Sequence, residues 1–262
     1  MKRITSRQNA LVARFRAVAG GSDRRWLLLD GPHLLADAIE AGLRVAHAIV
    51  ASEARDRPDI APLVSRLSRL HVDLAEAPKG VLAAASPVRS SSLIVGLAEP
   101  PAHDGRVFHG SRVLVPIACH VQDPGNLGAI VRVAEAAGAS GLIAAGGSAH
   151  PYGWKALRGS MGSALRLPVR VVADPREAVT DARAHSCRIV ATSPRGGRSL
   201  FDADLTGALA LLIGGEGHGL DADLLDSADE HLTIPMRPPV ESLNAAVTAA
   251  LVLYEAGRSS FP

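Results

Sequence analysis

Three separated stretches bring polar side chains together with glycine-rich or helix-starting backbone. The first is Asp123-Pro124-Gly125-Asn126-Leu127-Gly128, followed by Arg132; the second is Gly214-Gly215-Glu216-Gly217-His218-Gly219-Leu220; the third is Ser242-Leu243-Asn244, shortly after Ile234-Pro235-Met236. Ser242 and Asn244 sit where an apolar-periodic segment begins. The first-turn N–H groups of a helix lack intrahelical partners, so these two side chains either cap the helix or converge with its amides on one small volume. Asn126 lies just before another helical pattern and has the same two readings. Glycines between 214 and 219 leave room for backbone amides to approach a ligand. Their spacing departs from GxGxxG and their strand comes late in the chain, which argues against a dinucleotide site. Glu216 in that turn either pairs with a basic group or caps the amides around it. Arg132 stands among Ile130, Val131 and Val133, so its helix surface is expected to be largely covered. A covered guanidinium needs an anion, either a nucleic-acid phosphate or Glu135 three residues on. Cys119-His120 has the residue types of a nucleophile and its base, but neighbours on an extended strand point to opposite faces and cannot easily pair.

The elements that must position these residues alternate between short apolar runs and helical patterns. Strands are expected at Arg112 to Ala118, Gly141 to Ala145, Val169 to Val172, Arg188 to Thr192, Ala208 to Ile213 and Leu232 to Ile234, mostly continuous apolar runs, as a sheet covered on both faces requires. Helices are expected at Leu127 to Ala137 with Gly138 as its stop, from Asp174-Pro175 with Glu177 completing a capping box, at Asp221 to Ala228, and at the end of the chain. That last helix has Leu243, Val247, Ala250, Leu251 and Tyr254 at helical spacing. The pattern is that of a parallel α/β sheet. Residues 1–97 read as a smaller α/β unit: a helix at Asn9 to Val18, a strand at Trp26 to Leu29, a helix from Gly31-Pro32 with Leu34, Leu35, Ala38 and Ile39 on one face, a strand at Val45 to Val50, a helix at Ile60 to Leu70 and a strand at Ser92 to Leu97. Residues 98–111 have the Pro, Gly and polar mix of a linker, which leaves 112–262 as the second domain.

Composition narrows the class. In 262 residues, 47% are hydrophobic and 21% charged, proportions that exclude a disordered chain. Cys119 and Cys187 lack the spacing of a metal site or a disulfide framework and read as small buried hydrophobes in a reducing compartment. No metal is called for. The N-terminus carries no apolar leader and no run reaches membrane-spanning length, so the expectation is a cytoplasmic protein with no membrane partner. Net charge is only +2, yet Lys2, Arg3, Arg7, Arg14 and Arg16 come without an acidic residue between Met1 and Arg16. Arg3, Arg7 and Arg14 are therefore candidate phosphate contacts, with a solvated helix face as the alternative.

Taken in order, the three stretches resemble the three sequence motifs of the SpoU family of RNA ribose 2′-O-methyltransferases, within the SPOUT class. The resemblance covers about Ser111 to Gly257, and the chain as a whole looks like the two-domain members that modify ribosomal RNA. It implies a C-terminal SPOUT domain with a deep trefoil knot, a small N-terminal RNA-binding domain similar to kink-turn-binding ribosomal proteins, and a homodimer. The N-terminal part of this resemblance rests on a few residues such as Asp30, Gly31 and His33. The implied cofactor is S-adenosylmethionine, contacted at Gly214, Gly215, Ile234, Met236 and Leu243; the implied catalytic residues are Asn126, Arg132, Glu216, Ser242 and Asn244. Lys155 to Ala164 matches the family's small-residue stretch, where Arg158 adds a candidate RNA contact. Pro238 and Pro239 depart from the pattern at a place where the family usually has Gly; proline fixes φ and removes an N–H, so the loop's shape is expected to differ. The implied reaction is methyl transfer to a ribose 2′-hydroxyl, with 23S ribosomal RNA the expected substrate. A tRNA 2′-O-methyltransferase is the near alternative. A non-catalytic RNA-binding or ribosome-assembly protein with the same fold is the distant one, and the presence of all five catalytic candidates argues against it.

Overall fold

The structure, a computed structural model, describes residues 1–88, 92–102, 106–217 and 219–258; His218 of the glycine-rich turn and residues 103–105 of the expected linker lie outside these. The chain forms two compact units, one of residues 1–102 with 152–158 and one of residues 103–151 with 159–262.

The first unit contains β1 (Lys2–Arg3), α1 (Ala10–Ala19), β2 (Leu27–Asp30), α2 (Pro32–Glu40), β3 (Val45–Ala51), α3 (Ala61–Arg69), β4 (Asp73–Ala77), α4 (Lys79–Leu82) and β5 (Ile94–Ala98). Its sheet runs β1-β4-β3-β5-β2, parallel between β1, β4 and β3, and antiparallel from β5 to both neighbours. The basic start is an edge strand before it is a helix: Lys2 and Arg3 pair with Ala75 and Glu76, and α1 begins at Ala10, capped by Asn9, whose side chain accepts from the Leu11 amide. β1 and β4 escape the apolar-run criterion because one has two residues and the other carries Asp73 and Glu76. Gly31, at φ 105°, takes the turn into α2 that a side chain would strain. The Asp30 carboxylate beside it accepts from the Ser86 and Ser92 hydroxyls. His33 is exposed at the start of α2.

The second unit contains β6 (Leu114–Cys119), α5 (Pro124–Ala136), β7 (Leu142–Ala145), the end of α6 (Trp154–Ser160), α7 (Ser163–Arg166), β8 (Val169–Val172), α8 (Pro175–Ala184), β9 (Arg188–Thr192), β10 (Arg198–Ser199), β11 (Leu209–Gly214), α9 (Ala222–Asp226), β12 (Glu230–Thr233) and α10 (Ala245–Gly257). Its seven strands are all parallel, in the order β10-β12-β9-β11-β6-β7-β8. Every residue of β6 and β7 is buried, the consequence of helices on both faces. α5 buries Leu127, Ile130 and Val131, each contributing about 1.5–3 kcal/mol of apolar burial, and packs against α10. Asp174 caps α8 by accepting from the Arg176 amide, while Glu177, expected to close a capping box, gives its carboxylate to Arg170 at 2.7 Å. β6 leads to β7 and β8 on one side, whereas β11 and β9 lie on its other side. The gap between β6 and β11 is thus the point where strand order reverses, the place where an open parallel sheet leaves a crevice at its carboxyl ends.

Candidate functional site

All strands of this sheet point the same way, so the segments leaving β6, β9, β11 and β12 emerge on one edge. Three of them, with the first turn of α10, line a cavity of about 620 Å³. Thr192, Ser193 and Pro194 come from the end of β9, Gly214 to Gly217 from β11, Ile234 and Met236 from the exit of β12, and Ser242, Leu243, Asn244 and Thr248 from the entry to α10. Gly214, Gly215, Ile234, Met236 and Leu243, the five expected cofactor contacts, are all among the lining residues. Sequence reading missed Thr192 to Pro194, Leu225 and Thr248, which belong to ordinary strand ends and helices without a motif.

The glycines serve the fold more directly than expected. A Cβ on Gly214 would stand 2.5 Å from the Gly219 carbonyl carbon, and one on Gly215 only 2.0 Å from the His120 carbonyl oxygen. Absent side chains therefore let the turn close on itself and on the β6–α5 connection, and Gly217, at φ 93°, completes the reversal. His120 follows β6 in the left-handed region at φ 57°, and its ring nitrogen Nε2 stands 3.5 Å from Asp221. Burial, reinforced by the Asp221 carboxylate, pushes the Cys119 thiol up to about 12, which leaves it a core residue and no nucleophile.

One chain of hydrogen bonds ties the three stretches together. Asn244, the N-cap of α10, accepts the Ala246 and Val247 amides on Oδ1, at 2.9 and 3.3 Å. Its Nδ2 is left to donate outward, to Oδ1 of Asn126 at 3.0 Å, and Nδ2 of Asn126 in turn donates to the Glu216 carboxylate. Asn126 is thus no helix cap. Asp123 caps α5, accepting the Asn126 amide at 2.8 Å, and so frees the Asn126 side chain for the relay. Ser242 is likewise no cap; it is exposed on the cavity wall two residues before Asn244.

Arg132 corrects another expectation. It is exposed on α5 and is not among the residues that line the cavity. Glu135, its anticipated structural partner, is held instead by Arg166, and no carboxylate lies within ion-pair distance of Arg132 among the described residues. Arg158 is exposed on α6, in the stretch that groups with the first unit. The N-terminal cations are partly engaged within their unit: Arg3 lies 4.0 Å from Glu76, Arg7 donates to the Gly80 carbonyl at 3.0 Å, and Arg14 donates to Nε2 of His47 at 2.9 Å. Among the described residues, no group of three His, Cys, Asp or Glu side chains is placed to hold a metal, and no helix is long and apolar enough to cross a membrane.

A parallel α/β sheet with a glycine-turn cavity at its carboxyl edge, and an Asn-Asn-Glu relay that joins two of its lining residues to α5, is the arrangement expected from the resemblance to SPOUT-type methyltransferases. The sequence profile of the SpoU rRNA Methylase family matches residues 114–254, and the chain belongs to that family. It is 33% identical over 267 residues to the 23S rRNA (uridine(2479)-2′-O)-methyltransferase of Streptomyces viridochromogenes, covering 98% of this chain and 92% of that one. To the 23S rRNA (guanosine(2553)-2′-O)-methyltransferase RlmP of Bacillus subtilis it is 28% identical over 257 residues, covering 97% and 98%. The crystal structure of an AdoMet-bound rRNA methyltransferase from Sinorhizobium meliloti superposes with a TM-score of 0.87 at 26% identity, covering 100% and 99%.

Proposed function

We propose that this chain transfers a methyl group from S-adenosylmethionine to a ribose 2′-hydroxyl of 23S ribosomal RNA. The observation that carries the reading is the directed relay from Asn244 through Asn126 to Glu216, since it joins all three stretches at the rim of one cavity. The cavity fits the cofactor. Its volume lies in the range of small-molecule sites, Leu225, Ile234, Met236 and Leu243 give apolar walls for an adenine face, and Glu216 is its one charged lining side chain among the described residues, a carboxylate suited to a cationic sulfonium compound. S-adenosylmethionine supplies an already activated methyl group. The protein's part is to orient the hydroxyl and stabilise negative charge growing on its oxygen. Asn126, Glu216, Ser242 and Asn244 fix the geometry of the rim. Arg132, exposed on the helix that carries Asn126, is assigned the target phosphate and the stabilisation of charge on the 2′ oxygen; a guanidinium stays protonated, so the hydroxyl proton leaves to water or a phosphate oxygen. Arg3, Arg7, Arg14 and Arg158 add RNA contacts from the first unit.

A homodimer is part of this reading. α10 exposes Val247, Leu251 and Tyr254 at i, i+4 and i+7, an apolar stripe suited to a second copy. A ribosomal RNA substrate implies a cytoplasmic location. The test is to map ribose methylation in total RNA from a deletion strain and its parent, then restore the lost mark with purified protein and labelled cofactor. A single 23S position that loses and regains its methyl group is expected; ribosomal RNA with an unchanged methylation map rejects the proposal.

A further inference from the structure

We infer that Arg166 is a positioning residue for Arg132: by holding the Glu135 carboxylate, it keeps the Arg132 guanidinium available to RNA. This rests on the proposed role of Arg132 at the target phosphate.

Arg132 and Glu135 are three residues apart on α5, neighbouring positions on one helix face with Cβ atoms about 5–6 Å apart. Opposite charges at that spacing attract, and nothing on α5 itself prevents them from closing into a local pair. The structure shows the carboxylate held by another cation. Nε of Arg166, on α7, donates to Oε1 of Glu135 at 2.8 Å, and Nη2 donates to Oε2 at 2.9 Å, so both oxygens are occupied by one planar fork. Such a bidentate contact holds a carboxylate more firmly than a single point charge does. Burial on its own would raise the Glu135 pKa, but hydrogen bonds from Arg166 and from Ser163, also on α7, outweigh it and hold the carboxyl below its ordinary range. Glu135 is therefore an anion at neutral pH, and an anion next to Arg132 is the direct competitor of an RNA phosphate. Arg166 with Ser163 removes the competitor while leaving Arg132 exposed. Neither Glu135 nor Arg166 lines the cavity, so cofactor binding serves as an internal control.

The test uses the full chain, ribosomal RNA stripped from a strain lacking the protein, and four proteins: the parent, Arg166→Ala, Glu135→Gln and the double variant. Releasing Glu135 adds a competing ion pair and a repelled phosphate, so Arg166→Ala is expected to lower kcat/KM for RNA about three- to tenfold. S-adenosylmethionine Kd should remain unchanged. Glu135→Gln should behave like the parent, and the double variant should return close to it, because the neutral amide no longer competes; this non-additive rescue is what a merely structural contact does not give. A double variant as poor as Arg166→Ala overturns the inference, since Arg166 then touches RNA itself or supports the fold. So does an Arg166→Ala protein with parental activity. If Arg166→Ala does not fold, Arg166→Lys replaces it: one oxygen is left uncovered, and a smaller loss, again removed by Glu135→Gln, is expected, whereas a loss that Gln leaves in place rejects the idea. Arg132→Ala run alongside separates the two readings, because full activity there removes the proposed role of Arg132 whatever Arg166 does.

Discussion

Asn126 illustrates how a side chain acquires its role from its neighbours' commitments. The α10 cap occupies Oδ1 of Asn244, which forces its amide nitrogen outward; Asn126 must meet that donor with its own oxygen, and its nitrogen is left for Glu216. Asn126→Asp keeps the size and removes the donor, placing two carboxylates in contact. Loss of a hydrogen bond to a charged group costs about 1.5–3 kcal/mol. Single-turnover methyl transfer is therefore expected to fall about ten- to hundredfold if that cost is felt in the transition state. Stopped reactions at saturating cofactor check this, and an Asp variant with parental turnover would show the relay to be structural. Arg132→Ala should lose about two to four orders of magnitude in the same assay, the span seen when an oxyanion contact or proton-transfer assistance is removed. Arg132→Lys should recover part of it, since charge remains although the fork is lost. At this scale the residue types were legible in the sequence, because Asn126, Glu216, Ser242 and Asn244 sit at turns and helix starts where polar groups stand out. The direction of the relay was not. It depends on Asp123 taking the cap of α5, and a run with Asp123 and Asn126 three residues apart gives no way to say which of them caps.

At the scale of elements, α10 shows where periodicity stops being informative. Val247, Leu251 and Tyr254 recur at helical spacing, which fits an interface with a second copy and internal core equally; the buried residues are Ala245, Ala249, Val252, Leu253, Ala256 and Gly257, and the Val247, Leu251 and Tyr254 stripe is exposed. The helix is apolar nearly all round, so two faces satisfy the same spacing rule, and the spacing alone does not say which is packed. Close packing against α5 suits the alanines, with Val252 and Leu253 buried beside them. That arrangement gives the dimer proposal a sharp consequence. Leu251→Lys puts a charge at the centre of the exposed stripe and is expected to shift the protein from dimer to monomer in sedimentation at micromolar concentration while leaving the fold intact by circular dichroism. Sedimentation of the variant as a dimer would place the interface elsewhere. The strands of the second sheet were legible because both faces are covered and the runs are continuous. β10 was not, as a two-residue edge element of Arg198 and Ser199 without apolar content.

For the whole molecule, RNA binding depends on where charge is free. Net charge is close to neutral, so affinity must come from local excess, and the N-terminal segment is where the sequence concentrates it. Its cations are not equivalent. Lys2 stands 3.4 Å from Asp73 and Arg3 stands 4.0 Å from Glu76, so each shares its field with a carboxylate. Arg7 bonds to a backbone carbonyl, and Arg14 bonds to an imidazole nitrogen that must accept because a guanidinium only donates; among the described residues neither has a carboxylate within ion-pair distance, although Asp23 feels the charge of Arg14. Equal status for Arg3, Arg7 and Arg14, the expectation from sequence, thus gives way to a ranking. Removing one cation that neutralises a phosphate should flatten the log–log salt dependence of RNA binding by about 0.7 on a single strand. Arg7→Ala and Arg14→Ala are each expected to approach that change, and Arg3→Ala to fall well short of it. None should alter S-adenosylmethionine affinity, because every described residue lining the cavity belongs to the second unit. Filter binding of ribosomal RNA across a salt series, with calorimetry of the cofactor as control, makes the measurement. An Arg3→Ala slope change equal to that of Arg14→Ala would show that the nearby carboxylates do not offset the strand's charge, and unchanged slopes for all three would return the segment to a solvated surface.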